Sequence, residues 1–304
     1  MQTQTFYSNG KLLLTGEYVV LDGAKALAVP TRFGQNLIVS SGSNQEIKWT
    51  SFDADKSVWF QDTITFQEVK NKILSENNNK VKNTLIEILH QAFVQNPTFL
   101  DANGYSVETE LTFPRVWGLG TSSTLINNIG QWLEIDAFEL LQKSFGGSGY
   151  DIACAQNCSA IIYQLENDIP NITPVHFDPE FKENIHFVYL NKKQSSKSAI
   201  SNYLAHQSKA EKVIPKISNI TYDAIECKEG KDFAVLMERH EIIMSDILEA
   251  QTVKELHFDD FSGVVKSLGA WGGDFAMVIS RHNPKDYFVS KGFGTVLTYE
   301  EMVL

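Results

Sequence analysis

The stretch from Tyr105 to Leu133 most constrains how this chain folds. Tyr105, Val107, Thr109, Leu111 and Phe113 alternate with polar neighbours as a half-buried strand does, and Pro114 ends the run. Gly118 and Gly120 open a loop, after which Leu125, Ile126, Ile129, Trp132 and Leu133 recur at helical spacing. A helix entered through glycines presents free N–H groups and roughly half a unit of positive charge at its first turn. That makes a seat for an anion, with Gly118 and Gly120 admitting a phosphate close to the backbone and Thr121, Ser122 and Ser123 adding hydroxyls. The loop is not a Walker loop, because no Gly-Lys-Ser/Thr follows at the right spacing. Nor is it a dinucleotide fingerprint, since Ser123 stands where the third glycine belongs. On its residues alone it reads equally as a serine-capped helix after a turn.

The rest of the chain is consistent with an α+β protein. Leu12–Leu14, Tyr18–Leu21, Leu27–Val29 and Gln35–Ser40 are expected strands, and Val81, Leu85, Ile88, Leu89, Ala92 and Phe93 mark an amphipathic helix. The segment Glu166–Glu183 carries Pro170, Pro174 and Pro179 and little periodicity, so the domain boundary is expected there, giving parts 1–170 and 171–304. Beyond it the pattern predicts a strand at Ile185–Leu190, helices between Ala199 and Leu268, a strand at Phe275–Ser280, a short helix and a last strand at Thr295–Tyr299. At 304 residues the chain is long enough for one large or two medium domains.

Composition removes several functions. With 26 basic against 37 acidic residues the formal charge is −11, the wrong sign for a protein that works on the nucleic-acid backbone. The three cysteines, Cys154, Cys158 and Cys227, are odd in number and wrongly spaced for a disulfide framework, so a reducing, cytoplasmic setting is expected. The start has neither a basic region nor an apolar core of a signal sequence, and no run is apolar enough for a membrane span. The seven histidines show no metal-binding spacing.

Four further segments carry candidate chemistry. Gly146-Gly-Ser-Gly-Tyr-Asp151 delivers one carboxylate to the start of an apolar helix, where it is either a helix cap or a group facing a substrate hydroxyl. Lys11 and Glu17 flank an apolar run between glycine turns, and Leu268-Gly-Ala-Trp-Gly-Gly-Asp274 sets a glycine-dense turn before a strand. Each of these alone is also a plain hairpin turn. Asn191 to Ala199 carries Lys192, Lys193 and Lys197 among hydroxyls, either a cradle for an anionic group or a solvated basic loop.

Taken together and in order, these segments resemble the GHMP kinases, the superfamily of galactokinase, homoserine kinase, mevalonate kinase and phosphomevalonate kinase. Gly10-Lys11-Leu-Leu-Leu-Thr-Gly16-Glu17-Tyr18 resembles the first family motif, Pro114 to Ser123 the second, and Gly269-Ala-Trp-Gly-Gly-Asp274 the third. Ser148-Gly-Tyr-Asp151 is similar to the aspartate-bearing segment of the mevalonate branch. Gly-Glu-Tyr, Gly-Tyr-Asp and Gly-Gly-Asp all lean toward phosphomevalonate kinases.

The resemblance implies a two-domain fold: a ribosomal-protein-S5-like N-terminal domain with a left-handed βαβ crossover, and a ferredoxin-like C-terminal domain. It implies ATP and Mg²⁺ as cofactors and a small anionic acceptor, phosphomevalonate or mevalonate, in a monomer or homodimer. Gly118, Leu119, Gly120, Thr121, Ser122 and Ser123 would bind the ATP phosphates, with Ser122 and Glu139 as Mg²⁺ ligands. Asp151 and Lys11 would be catalytic. Glu17, Tyr18, Ser148, Gly149, Ser196, Lys197, Gly272, Gly273 and Asp274 would bind substrate. Trp271 stands where the pattern has a small residue, so it is expected to stack on a ligand or narrow access for one. Competing readings are a catalytically silent relative that binds ATP or a metabolite, and a kinase for homoserine or a sugar. The related decarboxylase lacks support because its Ser-Gly-Ser-Ala pattern is absent where Ser148-Gly-Tyr-Asp151 stands.

Overall fold

A computed structural model describes residues 2–75, 79–194, 196–207 and 210–304, with the side chains of 196–198 outside the described set. The strands are β1 (Gln4–Leu13), β2 (Ala26–Ser41), β3 (Glu46–Phe52), β4 (Val58–Thr65), β5 (Tyr105–Leu111), β6 (Ile161–Glu166), β7 (Ile169–Pro174), β8 (Ile185–Tyr189), β9 (Val264–Leu268), β10 (Phe275–Ile279) and β11 (Val296–Thr298). The helices are α1 (Phe66–Asn71), α2 (Lys80–Gln95), α3 (Thr121–Leu133), α4 (Ala137–Ser144), α5 (Tyr150–Gln156), α6 (Ser196–Ala205), α7 (Ile214–Glu226), α8 (Gly230–Leu248), α9 (Val253–His257), α10 (Lys285–Ser290) and α11 (Tyr299–Met302).

The residues gather into two compact units, each built from separated stretches of chain. The first comprises Met1–Gly10, Phe33–Arg115 and Leu119–Gln156; the second comprises Lys11–Arg32, Val116–Gly118 and Asn157–Leu304. In the first unit β5 is central. It pairs antiparallel with β2 from Gln35 opposite Leu111 to Ser41 opposite Tyr105, and parallel with β3 from Ile47 opposite Tyr105 to Phe52 opposite Glu110. A parallel pair needs a long return, and α1 and α2 supply it. The inward residues of these strands, among them Leu37, Val39, Ile47, Trp49 and Val107, share one core with Leu85, Ile88 and Leu89 of α2 and Ile126, Ile129 and Leu133 of α3. The edge of the Trp132 ring meets Tyr105, centroids 5.0 Å apart.

The second unit holds an antiparallel sheet in the order β11-β8-β10-β9. Counting strands from β8, that is fourth, first, third, second, the order of a ferredoxin-like sheet. β10 is buried throughout, with Phe275 opposite both Tyr189 and Leu268. Val188, Val265, Ala276 and Val278 close on Phe258, Phe261 and Phe288.

The sequence expectations need four corrections. Tyr18–Leu21 is not a strand: Val19–Asp22 is a 3₁₀ turn, entered through Tyr18 at φ +62°. Glu166–Glu183 contains β7, an edge strand, where prolines cost no shared hydrogen bond. The stretch of helices ends earlier than Leu268, because Val264–Leu268 is β9. Lys11 lies within a strand rather than before one, since β1 runs from Gln4 to Leu13.

Candidate functional site

In the first unit, α3 begins at Gly120, whose φ of +99° is open to glycine and costly for other residues. No side chain caps this helix end. The three hydroxyls of its first turn divide the work. Ser123 is buried and its Oγ donates to the Gly120 carbonyl at 2.9 Å, Ser122 is exposed, and Thr121 Oγ1 is buried with no partner. Beside Thr121 and Ser122 lies a cavity of about 310 Å³ walled by Trp49, Trp59, Phe60 and Leu125. The indole N–H of Trp59 is a second buried donor without a partner, and the Arg115 guanidinium lies 4.6 Å over the Trp59 ring. An apolar cleft with two unmet polar groups beside an uncapped helix start has the chemistry to take a flat ligand that carries an anion.

The helix α3 also carries a buried polar network. Thr124 Oγ1 donates to Gln35 Oε1 at 2.8 Å, Asn128 Nδ2 to the Gln35 carbonyl at 2.9 Å, Ser8 Oγ to Asn128 Oδ1 at 2.7 Å and Asn127 Nδ2 to Ser8 Oγ at 2.8 Å. Buried polar groups satisfied in this way fix one rotation of the helix about its axis. Gln156 Nε2 extends the network to Asn127 Oδ1 at 3.1 Å, which ties α5 to α3. Asp151 sits in the first turn of α5, where its Oδ1 accepts from the Ile152 N–H at 3.2 Å. Gly149, at φ +87°, supplies the carbonyl that accepts from Ala153 N–H, and Ser148 beside it is buried. Glu139 lies in the first turn of α4 and pairs with Lys143 one turn on.

In the second unit, Lys11 Nζ donates to the carbonyl of Gly118 at 3.3 Å. Gly118 has φ +71°, and a Cβ there would overlap the carboxylate of Asp274. Lys11, Gly118 and Asp274 therefore form one cluster. Tyr18 is the centre of a γ-turn with positive φ, closed by Val19 N–H donating to the Glu17 carbonyl at 2.7 Å, a strained form for a residue with a side chain. The turn is held by its side chains: Tyr18 OH accepts from Trp271 N–H at 2.7 Å, and its ring stacks on Tyr203 with centroids 5.7 Å apart. The indole of Trp271 donates to the Gln251 carbonyl at 2.9 Å. Gly272 and Gly273 follow, and a Cβ at Gly273 would overlap Gln194. Ser196 and Lys197 open α6, but their side chains lie outside the described residues.

No family model matches the sequence, and no curated protein does. Solved structures do. Mevalonate kinase of Methanococcus jannaschii matches with a TM-score of 0.67 at 16% identity, over 96% of this chain and 94% of that one. Phosphomevalonate kinase of Streptococcus pneumoniae, solved with phosphomevalonate and AMPPNP, matches at 0.62 and 14%, over 97% and 99%. Galactokinase of Lactococcus lactis, solved with galactose, matches at 0.67 and 14%, over 95% and 88%. The chain has the GHMP-kinase fold.

Within the GHMP-kinase fold this chain buries a charged cluster that its sequence did not announce. Lys266 on β9 pairs with Glu17 at 2.5 Å, Glu17 Oε2 lies 3.3 Å from His240 Nε2, and Glu241 accepts from Ser267 N–H at 3.1 Å and from Ser267 Oγ at 2.8 Å. All four charged or titratable side chains are nearly inaccessible. His240 Nε2 also accepts from Gly16 N–H at 2.8 Å, and burial drives its pKa well down, so the ring is neutral. That leaves two carboxylates and one ammonium. Burial lifts Glu17, against Lys266, and pushes Glu241 up to about 7. A helical stripe of Phe233, Met237, Met244 and Leu248 passes through His240 and Glu241, which is the one sequence signal that places them inside.

Glu241→Gln is expected to stabilise the protein at pH 8 and not at pH 5. Glutamate ionises near 4.5 when unfolded and near 7 here, so the folded chain holds the extra proton across that window and stability falls as pH rises through it. The amide has no proton to lose, so at pH 8 the gain is on the order of 3 kcal/mol. Urea unfolding of both proteins at the two pH values measures it, and an equal effect at both would refute the assignment.

Among the described residues no three His, Cys, Asp or Glu side chains gather to hold a metal. Mg²⁺ delivered on phosphates needs only one or two protein oxygens, and the exposed Ser122 hydroxyl at the start of α3 fits that need. No helix among them is long and apolar enough to cross a membrane.

Proposed function

We infer that the protein is an ATP-dependent kinase that transfers the γ-phosphoryl group of Mg-ATP to a small anionic acceptor, phosphomevalonate or mevalonate. The observation that carries this reading is the glycine loop at Gly118–Ser123. It ends in a helix start with no side-chain cap and adjoins an aromatic-walled cavity holding two unmet donors. The base of ATP would occupy the cavity and the phosphates the loop. The motifs Gly-Glu-Tyr, Gly-Tyr-Asp and Gly-Gly-Asp favour the mevalonate branch, and a mevalonate kinase and a phosphomevalonate kinase stand beside a galactokinase among the structural neighbours. We assign nucleotide binding to 1–170 and the remainder of the acceptor site to 171–304, in a cytoplasmic monomer or homodimer. Glu17, Tyr18, Ser148, Gly149, Ser196, Lys197, Gly272, Gly273 and Asp274 are assigned to the acceptor side.

The transition state of phosphoryl transfer is loose, so alignment and charge neutralisation matter most. An acceptor oxygen bonds to the γ-phosphorus as the bridging bond to ADP breaks. The N–H groups of Thr121, Ser122 and Ser123 would meet the charge on the phosphate oxygens, and Lys11 is assigned a neutralising role in the reaction. Ser122 and Glu139 would hold Mg²⁺, which would supply further charge neutralisation. The Glu139–Lys143 pair is exposed, so giving up Lys143 for a cation costs little. With an alcohol acceptor, the Asp151 carboxylate takes the hydroxyl proton.

Incubation with Mg-ATP and, separately, mevalonate, phosphomevalonate, homoserine and galactose is expected to release ADP with one of the first two. Turnover only with homoserine or galactose would redirect the acceptor. No turnover with any, alongside clear ATP binding, would mark a silent nucleotide-binding relative.

A further inference from the structure

Asp274, assigned above to the acceptor side, also sets a carboxylate against the start of the proposed phosphate loop. It sits at φ +54°, is 8% exposed, and presses its carboxylate on the Cα of Gly118, the first residue of the proposed phosphate loop. Its position is fixed from several sides: Asp274 N–H donates to the Lys192 carbonyl at 2.7 Å, its carbonyl accepts from Leu190 N–H at 2.8 Å, and Oδ1 accepts from Gln194 N–H at 3.3 Å. Lys11 reaches the same glycine, its ammonium 3.3 Å from the carbonyl oxygen. A phosphate arriving at Gly118 and Lys11 therefore meets a fixed negative charge, and like charges at that range each disfavour the other.

Resting on the nucleotide reading above, we propose that Asp274 is a proton-accepting neighbour of the phosphate site: its carboxylate is the negative charge beside Gly118 and Lys11 in the free protein and takes up a proton when the nucleotide phosphates arrive. The proton comes from solvent and neutralises the carboxylate, so no charge is left opposing the phosphate. The groups facing Asp274 are Lys11 on β1, Lys193 and Gln194 after β8, and Tyr189 on β8. Burial pushes this carboxyl upward from the ordinary aspartate value, against the pull of Lys11, the Gln194 N–H and Lys193, which is the direction that proton uptake requires. Asn is among the residues that best tolerate positive φ and keeps the acceptor for Gln194 N–H, so Asp274→Asn removes the charge alone.

Titration calorimetry with Mg-AMPPNP, in buffers of different ionisation enthalpy, counts protons taken up per nucleotide. Wild type is expected to take up a fraction of a proton at pH 8, and Asp274→Asn to take up less by that fraction; protons carried by the nucleotide itself are common to both and cancel. Asp274→Asn is also expected to bind about tenfold tighter at pH 8, with the two proteins converging toward pH 6. Equal proton uptake in the two proteins, or weaker binding by Asp274→Asn at every pH, overturns the proposal. If Asp274→Asn does not fold, a wild-type affinity that fails to strengthen as pH falls from 8 to 6 overturns it. Absence of any binding heat in wild type removes the nucleotide site, and this inference with it. Binding without proton uptake removes only the inference.

Discussion

Asp151→Ala is expected to lower kcat for an alcohol acceptor by about 10²–10⁴-fold, the usual contribution of a positioned general base. With a phosphate monoester acceptor the loss should be clearly smaller, because that group is already largely ionised near pH 7 and has no proton to surrender. The comparison separates chemistry from folding. If Asp151 only capped α5, replacing it would cost about 1 kcal/mol of stability and leave kcat unchanged for both acceptors. The Asp151 carboxylate accepts from Ile152 N–H at 3.2 Å, and α5 is tied to α3 through Gln156 and Asn127, a bond that does not involve Asp151. Asp151→Ala should therefore keep its affinity for Mg-AMPPNP and its melting temperature. ADP release measured with mevalonate and with phosphomevalonate checks both halves, and equal, negligible losses with the two acceptors would remove Asp151 from the reaction.

The parts of this protein legible in its sequence are those whose signals are local. The alternation of Tyr105–Phe113, the break at Pro114 and the helical spacing from Leu125 to Leu133 are short-range patterns, and they led to β5, the loop and α3. Tyr18–Leu21 misled because an apolar run of four suits either a strand or a turn of helix. The deciding γ-turn at Tyr18 depends on Trp271, 253 residues away. β3 and β4 drew no expectation, since Glu46-Ile-Lys-Trp-Thr-Ser-Phe mixes charge into its alternation, and with them went the Trp49 and Trp59 walls of the cavity. The third motif was found, yet Trp271 proved to be a brace: its backbone holds Tyr18 and its indole holds Gln251. Glu17 was assigned from its motif, while its partner Lys266 sits 249 residues on, in a strand that otherwise looks like plain core. Pairing over such distances is written in the fold and in no window of sequence.

Lys266→Met is expected to be the most destabilising single change outside the hydrophobic core. Lys266 is 1% exposed and is the ammonium facing both Glu17 and Glu241, so removing it strands two buried carboxylates. Breaking a buried ion pair by deleting one partner typically costs about 3–5 kcal/mol. Protonation offers the carboxylates an escape, and the sign follows from that. Their folded pKa values are already raised, and without Lys266 they rise further, so the penalty grows as pH climbs above about 4.5, the value for an unfolded glutamate. The variant should be severely unstable at pH 8 and partly recovered at pH 5. Adding Glu17→Gln and Glu241→Gln to Lys266→Met should restore most of the loss at pH 8, because no charge is then left buried. Urea unfolding of the three proteins at both pH values tests this. A loss below about 1 kcal/mol at pH 8, or one that does not change with pH, would show that the cluster is not held by its charge. Because Glu17 leads directly into the strained turn at Tyr18, the same variant should also weaken acceptor binding at pH 5, where it remains folded, more than it weakens binding of Mg-AMPPNP.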